Sequence, residues 1–145
     1  MIRVTRKLEF SAAHFYHNPD LSADENRRVF GKCNNPKGHG HNYVLEVTVA
    51  GEPDPKTGMV LDLRELKEIL DREVTQRMDH RHLNYEVPEL AGKVPTCEEI
   101  AAVLWRILEP KIHQGRLDRI RLYESPDLFV DCTADATNAG KKVAR

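Results

Sequence analysis

Apolar and polar residues alternate in two stretches of the chain. Ile2, Val4, Leu8 and Phe10 share one parity, broken by Arg6. A period of two belongs to a half-buried strand, so a strand is predicted over residues 2–12, ending at Ala12-Ala13-His14. In the second stretch Tyr43, Leu45, Val47 and Val49 fall on one side and Glu46 and Thr48 on the other, which predicts a strand over 41–50. Residues 17–38, between them, hold few apolar side chains and many turn formers, and read as one long loop. Loops of that length in compact domains are usually functional or mobile. Glu52 to Gly58 is a turn region.

The period then changes. Leu63, Leu66, Leu70 and Val74 lie on one helical stripe, with Asp62 and Glu65 spaced as a capping box. A second helix is predicted from Thr96, with Glu99 three residues on and a buried face of Ile100, Val103, Leu104, Ile107 and Leu108. Residues 117–124 and 128–132 read as two more strands joined by Ser125-Pro126-Asp127, a good turn sequence. The order strand, strand, helix, helix, strand, strand predicts an α+β fold, a four-stranded antiparallel sheet with both helices on one face. Residues 1–132 are expected to form a single domain and 133–145 a polar tail. The sheet would have open edges, where neighbouring subunits often pair.

Composition narrows the class of protein. The chain has 145 residues, 40% hydrophobic and 31% charged, which suits one soluble globular domain. A net charge of −1 with His neutral provides no global field for nucleic acid or an anionic membrane. No apolar run is long enough to span a bilayer, and the N-terminus lacks the apolar core of a secretory signal. Cys33, Cys97 and Cys132 are odd in number and widely spaced, so a disulfide framework is not expected. These features point to a cytoplasmic protein with reduced thiols.

The densest chemistry lies in Cys33-Asn-Asn-Pro-Lys-Gly-His-Gly-His-Asn-Tyr43. On a strand, His39 and His41 face the same way. His14 ends the first predicted strand and would meet them if the two strands pair antiparallel. Three imidazoles with an open fourth position are the usual layout of a catalytic zinc. Cys33 as fourth ligand would instead close the site. As a free thiol it lies beside Lys32 and Lys37, cations of the kind that favour a thiolate. Cys97 and Cys132 are weaker candidates. Asp79-His80 pairs a carboxylate with an imidazole, either as an acid–base unit or as solvated loop residues, and His82 lies on the same loop. Glu124 shares the parity of Ile120 and Leu122. A carboxylate on an apolar face needs a partner, and two parallel N–H donors on a ligand would serve, unless the strand has already left the core. Thr96 is explained by helix capping, and a capping residue can also face a ligand.

These motifs resemble the 6-pyruvoyl tetrahydropterin synthase family, which includes the 6-carboxytetrahydropterin synthases of queuosine biosynthesis. The likeness rests on Phe10-Ser-Ala-Ala-His14, Cys33 to Tyr43, Gly58-Met-Val-Leu-Asp62, Asp79-His80, Pro95-Thr96 and Tyr123-Glu124-Ser125-Pro126. The resemblance implies the T-fold (tunnelling fold), in which subunits join sheets into a barrel, and a homohexamer with active sites at subunit interfaces. It implies a lyase that eliminates triphosphate from 7,8-dihydroneopterin triphosphate. His14, His39 and His41 would hold Zn2+, Cys33 would be the base, assisted by His80 and Asp79, and Glu124 and Thr96 would bind the pterin. Arg27, Arg28, Lys32 and Lys37 are the candidates for the triphosphate. Cys97 and Glu99 depart from the family pattern around Thr96, and His82 is a less usual neighbour of the Asp-His pair. The spacing from Cys33 to the His pair is closer to the pyruvoyl branch. The alternatives are the carboxy product with acetaldehyde, and a non-catalytic zinc-stabilised T-fold module that binds a pterin or purine.

Overall fold

A computed structural model describes residues 1–135 of the chain. Its sheet has five strands: β1 (Ile2–His14), β2 (His39–Gly51), β3 (Arg81–His82), β4 (Arg116–Ser125) and β5 (Leu128–Thr133), in the order β3-β1-β2-β4-β5. The helices are α1 (Ala23–Phe30), α2 (Leu63–Leu70), α3 (Gln76–Met78), α4 (Leu83–Glu86) and α5 (Cys97–Leu108). β1 and β2 pair antiparallel from Ile2 opposite Gly51 to His14 opposite His39.

The core lies between one face of the sheet and the helices α2 and α5. Tyr43, Leu45, Val47, Ile120 and Leu122 are fully buried there against Leu66, Val74, Ile100, Leu104 and Trp105. The predicted helical stripes therefore hold, except that Leu63 at the start of α2 is exposed. The other face of the sheet is polar. Glu46 meets Arg119 at 3.3 Å and Lys7 at 3.7 Å, and Arg121 makes two bonds to Asp131, at 2.7 and 2.8 Å.

Three expectations need correction. The sheet is mixed and five-stranded, because β3 adds a parallel pairing to β1 at Ala12 and Ala13. Two residues carry no periodicity, so this strand leaves no pattern in the sequence. Tertiary bonds set it in place: the Ser11 N–H donates to Asp79 Oδ1 at 2.8 Å, and the His80 N–H donates to the Ser11 carbonyl at 2.6 Å. Second, the 17–38 segment is not one irregular loop. It contains α1, started by a capping box between Ser22 and Glu25, and a 3-10 turn over Gly31–Asn34. α1 escapes an apolar-period reading because its one buried residue is Asn26. Third, β5 runs to Thr133, one residue past its predicted end. The rest of the expected tail, from 136 on, lies outside the described residues.

α2 also runs on through a π-helical turn, Asp71–Thr75, into α3. The extra residue in that turn changes the phase of the helix. Val74 and Met78 both stay fully buried, and Asp79 emerges next to Ser11.

Asn26 anchors the segment that carries Cys33. Its side chain accepts from the Asn18 N–H and donates to the carbonyls of Asn18, Leu21 and Ser22. Removing it leaves several backbone groups unpaired. Asn26→Ala is expected to cost about 2 kcal/mol. Hydrogen exchange should speed up at amides 18–34 while β2 and α5 keep their protection; equal loss everywhere would mean that the segment is not a separate unit.

Candidate metal centre and active site

The strand register brings the three histidines together. His14 ends β1 opposite His39, and His41 lies opposite Ala12 on the same side of β2. The ring centroids are 4.7 Å apart for His14 and His39, 5.1 Å for His14 and His41, and 4.9 Å for His39 and His41. The approach needs a glycine before His39. Gly38 has φ +78°, and a Cβ there would stand 3.1 Å from the His14 carbonyl oxygen and 3.0 Å from His82 Nε2.

His14 is fully buried. Its Nδ1 lies 2.8 Å from the Pro95 carbonyl oxygen. A carbonyl only accepts, so Nδ1 carries the hydrogen and Nε2 keeps its lone pair. That Nε2 is 3.1 Å from His39 Nε2. The Tyr43 hydroxyl stands 3.1 Å from His14 Nδ1, and the Tyr43 ring stacks on Phe10 at 5.1 Å. Burial pushes the His14 imidazole down to about 4, against the raising effect of the Pro95 bond. Burial lowers His41 as well. A neutral ring with a fixed tautomer is the form that binds a metal.

Glu124 completes the cluster. β4 is irregular against β5 between Tyr123 and Ser125, and bulges of this kind re-aim side chains. The result places Glu124 Oε1 3.1 Å from His41 Nε2, as a close approach without hydrogen-bond alignment. One ligand atom from each of His14, His39, His41 and Glu124 lies within 4.8 Å of all the others. Three imidazoles and a carboxylate, one imidazole of fixed tautomer, are a donor set that fits zinc. Among the described residues Cys33 is not in that group. Beside His41 and Glu124 a cleft of about 670 Å³ opens on the polar side of the sheet, lined also by Glu9, Asn42 and Tyr123.

The remaining candidates separate. Cys33 is a half-buried free thiol, and its carbonyl accepts from the Tyr16 N–H at 2.7 Å. Asp79 and His80 do form a pair, with Nδ1 of His80 2.8 Å from Asp79 Oδ2. His80 has φ +59°, a strain on the order of 1 kcal/mol, and its side chain is 84% exposed. Among the described residues no hydrogen bond or ion pair joins this pair to Cys33. Thr96 caps α5, accepting from the Glu99 N–H at 3.2 Å. Glu99 itself turns to Lys93 and Arg106. Cys97 is buried and donates to the Leu122 carbonyl, and burial pushes its thiol up to about 12, so it is no nucleophile. Cys132 is buried too. Of the four proposed triphosphate cations, Arg27 pairs with Asp24. Arg28, Lys32 and Lys37 are exposed and make no ion pair among the described residues.

Several neighbours of the site were not singled out in the sequence. Tyr43 carried a signal, since it shares the parity of His39 and His41. The Pro95 carbonyl carried none, because any residue has one. Asn84 acts as a short piece of strand: its side chain accepts from the Phe15 N–H at 2.9 Å and donates to the Phe15 carbonyl at 2.8 Å, fixing the backbone just after His14. His82 packs between Phe15 and Tyr85, with both ring nitrogens buried and without a partner among the described residues.

The His14 shift has a thermodynamic consequence. Its folded value, about 4, lies below the ordinary 6.5. The unfolded chain therefore binds the proton first as pH falls. The stabilisation is complete above pH 6.5 and is lost on the way down to pH 4, a change of about 3 kcal/mol. In protein stripped of metal by a chelator, urea midpoints should fall across that window. His14→Gln should remove most of the slope; an unchanged slope would refute the assignment.

The sequence model of the 6-pyruvoyl tetrahydropterin synthase family matches residues 3–135. The human 6-pyruvoyl tetrahydrobiopterin synthase is 43% identical over 128 residues, covering 88% of each chain. A 6-carboxy-5,6,7,8-tetrahydropterin synthase of Rickettsia felis is 29% identical over 150 residues, covering 90% of this chain and 99% of its own. The structure of the Caenorhabditis elegans 6-pyruvoyl tetrahydropterin synthase superposes with a TM-score of 0.87 at 36% identity, over 92% of this chain and 95% of the other. With the fold, the histidine cluster and the motif order in agreement, the chain belongs to the 6-pyruvoyl tetrahydropterin synthase family.

Proposed function

We propose that this chain is a zinc-dependent lyase that converts 7,8-dihydroneopterin triphosphate to 6-pyruvoyl tetrahydropterin and triphosphate. The observation that carries the reading is the buried, neutral His14 held against His39 and His41, with Glu124 beside them. In this reading His14, His39 and His41 hold the zinc. Zinc there supplies a Lewis acid that makes a substrate hydroxyl and the adjoining C–H bond more acidic. Cys33 takes the proton from the side-chain carbon. Asp79 orients His80, which exchanges that proton. Glu124 accepts from two ring N–H groups of the pterin, as a carboxylate does from a guanidinium, and Thr96 lines the same pocket. Arg28, Lys32 and Lys37 receive the triphosphate, with Arg27 beside them.

The domain is residues 1–132, working in the cytoplasm as a homohexamer of T-fold trimers. Among the described residues no helix is long and apolar enough to cross a membrane. Two features favour active sites between subunits. The β1 edge is paired only at Ala12 and Ala13, which leaves most of that strand open to another chain. His80 is exposed and apart from its own Cys33, so it is placed to serve a neighbour's thiol. The higher identity to the human relative favours the pyruvoyl product over the carboxy one.

Incubation with 7,8-dihydroneopterin triphosphate should release triphosphate, and mass spectrometry should identify 6-pyruvoyl tetrahydropterin. Acetaldehyde and the carboxy product would instead assign the other branch, and no triphosphate release would sink both. Cys33→Ala should keep its zinc and lose about 10³-fold in turnover; loss of zinc would make the thiol a ligand. Cys33→Ala and His80→Ala subunits, unfolded together and reassembled, should recover about a quarter of wild-type activity for random mixing. No recovery would place the thiol and the His80 imidazole of one site in one chain.

A further inference from the structure

Glu124 stands where two kinds of bond compete for it. Its Oε1 is 3.1 Å from His41 Nε2, and its side chain is only 13% exposed. One ligand atom from each of His14, His39, His41 and Glu124 lies within 4.8 Å of the other three, and His14 Nε2 is 3.1 Å from His39 Nε2. Four donors placed about 2.1 Å from a zinc ion, at the corners of a tetrahedron, are about 3.4 Å from one another. Both measured separations are close to that value. They are also opposite edges of the figure, since they share no atom. The carboxylate therefore stands at the fourth corner, the one that three imidazoles alone leave open.

A pterin needs the same carboxylate. Two parallel N–H groups on a ring edge are matched only when both oxygens face the ring. With Oε1 turned to His41 at 3.1 Å, no donor fits between the two, because one N–H···O bond already takes about 2.9 Å. The carboxylate has to swing away from His41 before it can hold the ring. Its setting permits that movement. Glu124 lies where β4 loses its regular pairing with β5, between Tyr123 and Ser125, and just before the exposed Pro126 and Asp127. The histidines are held more firmly. His14 is bound to the Pro95 carbonyl, and His39 and His41 are set in the β1–β2 ladder.

We propose that Glu124 is an exchangeable fourth zinc ligand: it closes the metal centre in the ligand-free chain, and a pterin ring opens the centre by drawing the carboxylate onto its own N–H groups. This rests on the pterin reading above and deepens it, because recognition of the ring and opening of the metal become one event. A pterin whose side chain carries hydroxyls brings oxygens to the corner that Glu124 leaves. A pterin without a side chain removes the carboxylate and leaves only water to replace it. Ring binding and zinc binding therefore oppose each other for the second compound, by the same factor in both directions, and not for the first.

The competing account is a three-histidine zinc beside which Glu124 serves the pterin alone. The zinc dissociation constant of the full-length zinc-loaded chain, measured by competition with a chelating dye, separates the two. It would be measured for the chain alone, with saturating 7,8-dihydropterin, which has no side chain, and with saturating 7,8-dihydroneopterin. Calorimetry would establish that each pterin binds. The expected result is zinc held about tenfold less tightly with dihydropterin and no less tightly with dihydroneopterin. Glu124→Gln without any pterin should also hold zinc about tenfold less tightly than wild type. Dihydropterin that binds without loosening zinc would overturn the proposal and leave the pterin reading standing, and so would Glu124→Gln with the zinc affinity of wild type. A wild-type chain that binds neither pterin would remove the pterin reading and the exchange with it. The wild-type measurements decide the matter even if the variant does not fold.

Discussion

β1 and β2 pair along all thirteen residues of each strand, and this ladder is what sets His14 opposite His39 and leaves His41 on the same face. A slip of one residue would turn His14, Phe10 and Ala12 toward the polar side, because side chains alternate along a strand. It would also break the core, since Phe10 stacks on Tyr43 and both are buried. The same apolar packing that stabilises the sheet therefore fixes the histidine geometry. Register is well specified where one face is buried, and here that face continues directly from the core into the cluster.

This explains why so much of the centre was legible in the sequence. His39, His41 and Tyr43 share the parity of Leu45 and Val47, so one alternation placed both core and ligands. His14 followed from the parity of Phe10. The two main helices were equally readable, because α2 and α5 bury apolar stripes of ordinary period. What escaped depended on polar or backbone contacts. α1 is anchored through Asn26, a residue that hydrophobic periodicity does not register. β3 exists because Asp79 and His80 satisfy the free edge of Ser11, and two residues cannot show a period. The Pro95 carbonyl, which sets the His14 tautomer, has no residue type to read. Glu124 was half legible: its parity placed it inward, but the β4 irregularity that brings it to His41 is a matter of strand pairing.

The separation of Asp79-His80 from Cys33 has the same origin. Cys33 lies in the turn after α1, tied to the Tyr16 backbone just past the end of β1. Asp79-His80 is tied to the backbone N–H and carbonyl of Ser11, at the free edge of the sheet. The two are held by different stretches of backbone, one beyond the strand and one along its edge. An exposed imidazole in a strained backbone conformation, on an edge with unpaired backbone, has its position determined by the fold and its partner left to be supplied.

The cluster gathers groups that a core built for stability alone would not hold together. His14 is buried with its lone pair turned toward His39, His41 lies against a carboxylate without forming a bond, and Gly38 is held in a conformation other residues avoid. Burying the imidazole and leaving His41 unaligned with its carboxylate cost free energy that the β1–β2 ladder offsets; glycine adopts its left-handed conformation without strain. A cation that binds only the folded chain returns stability by mass action, about 4 kcal/mol at a thousandfold excess over its dissociation constant. The chain is therefore expected to trade some intrinsic stability for a preformed set of ligands. The cost is concentrated in the neutral His14, which is why proton and metal would compete for one nitrogen, Nε2. A sheet built only for stability would place an apolar residue at position 14; the histidine there makes sense as part of a site.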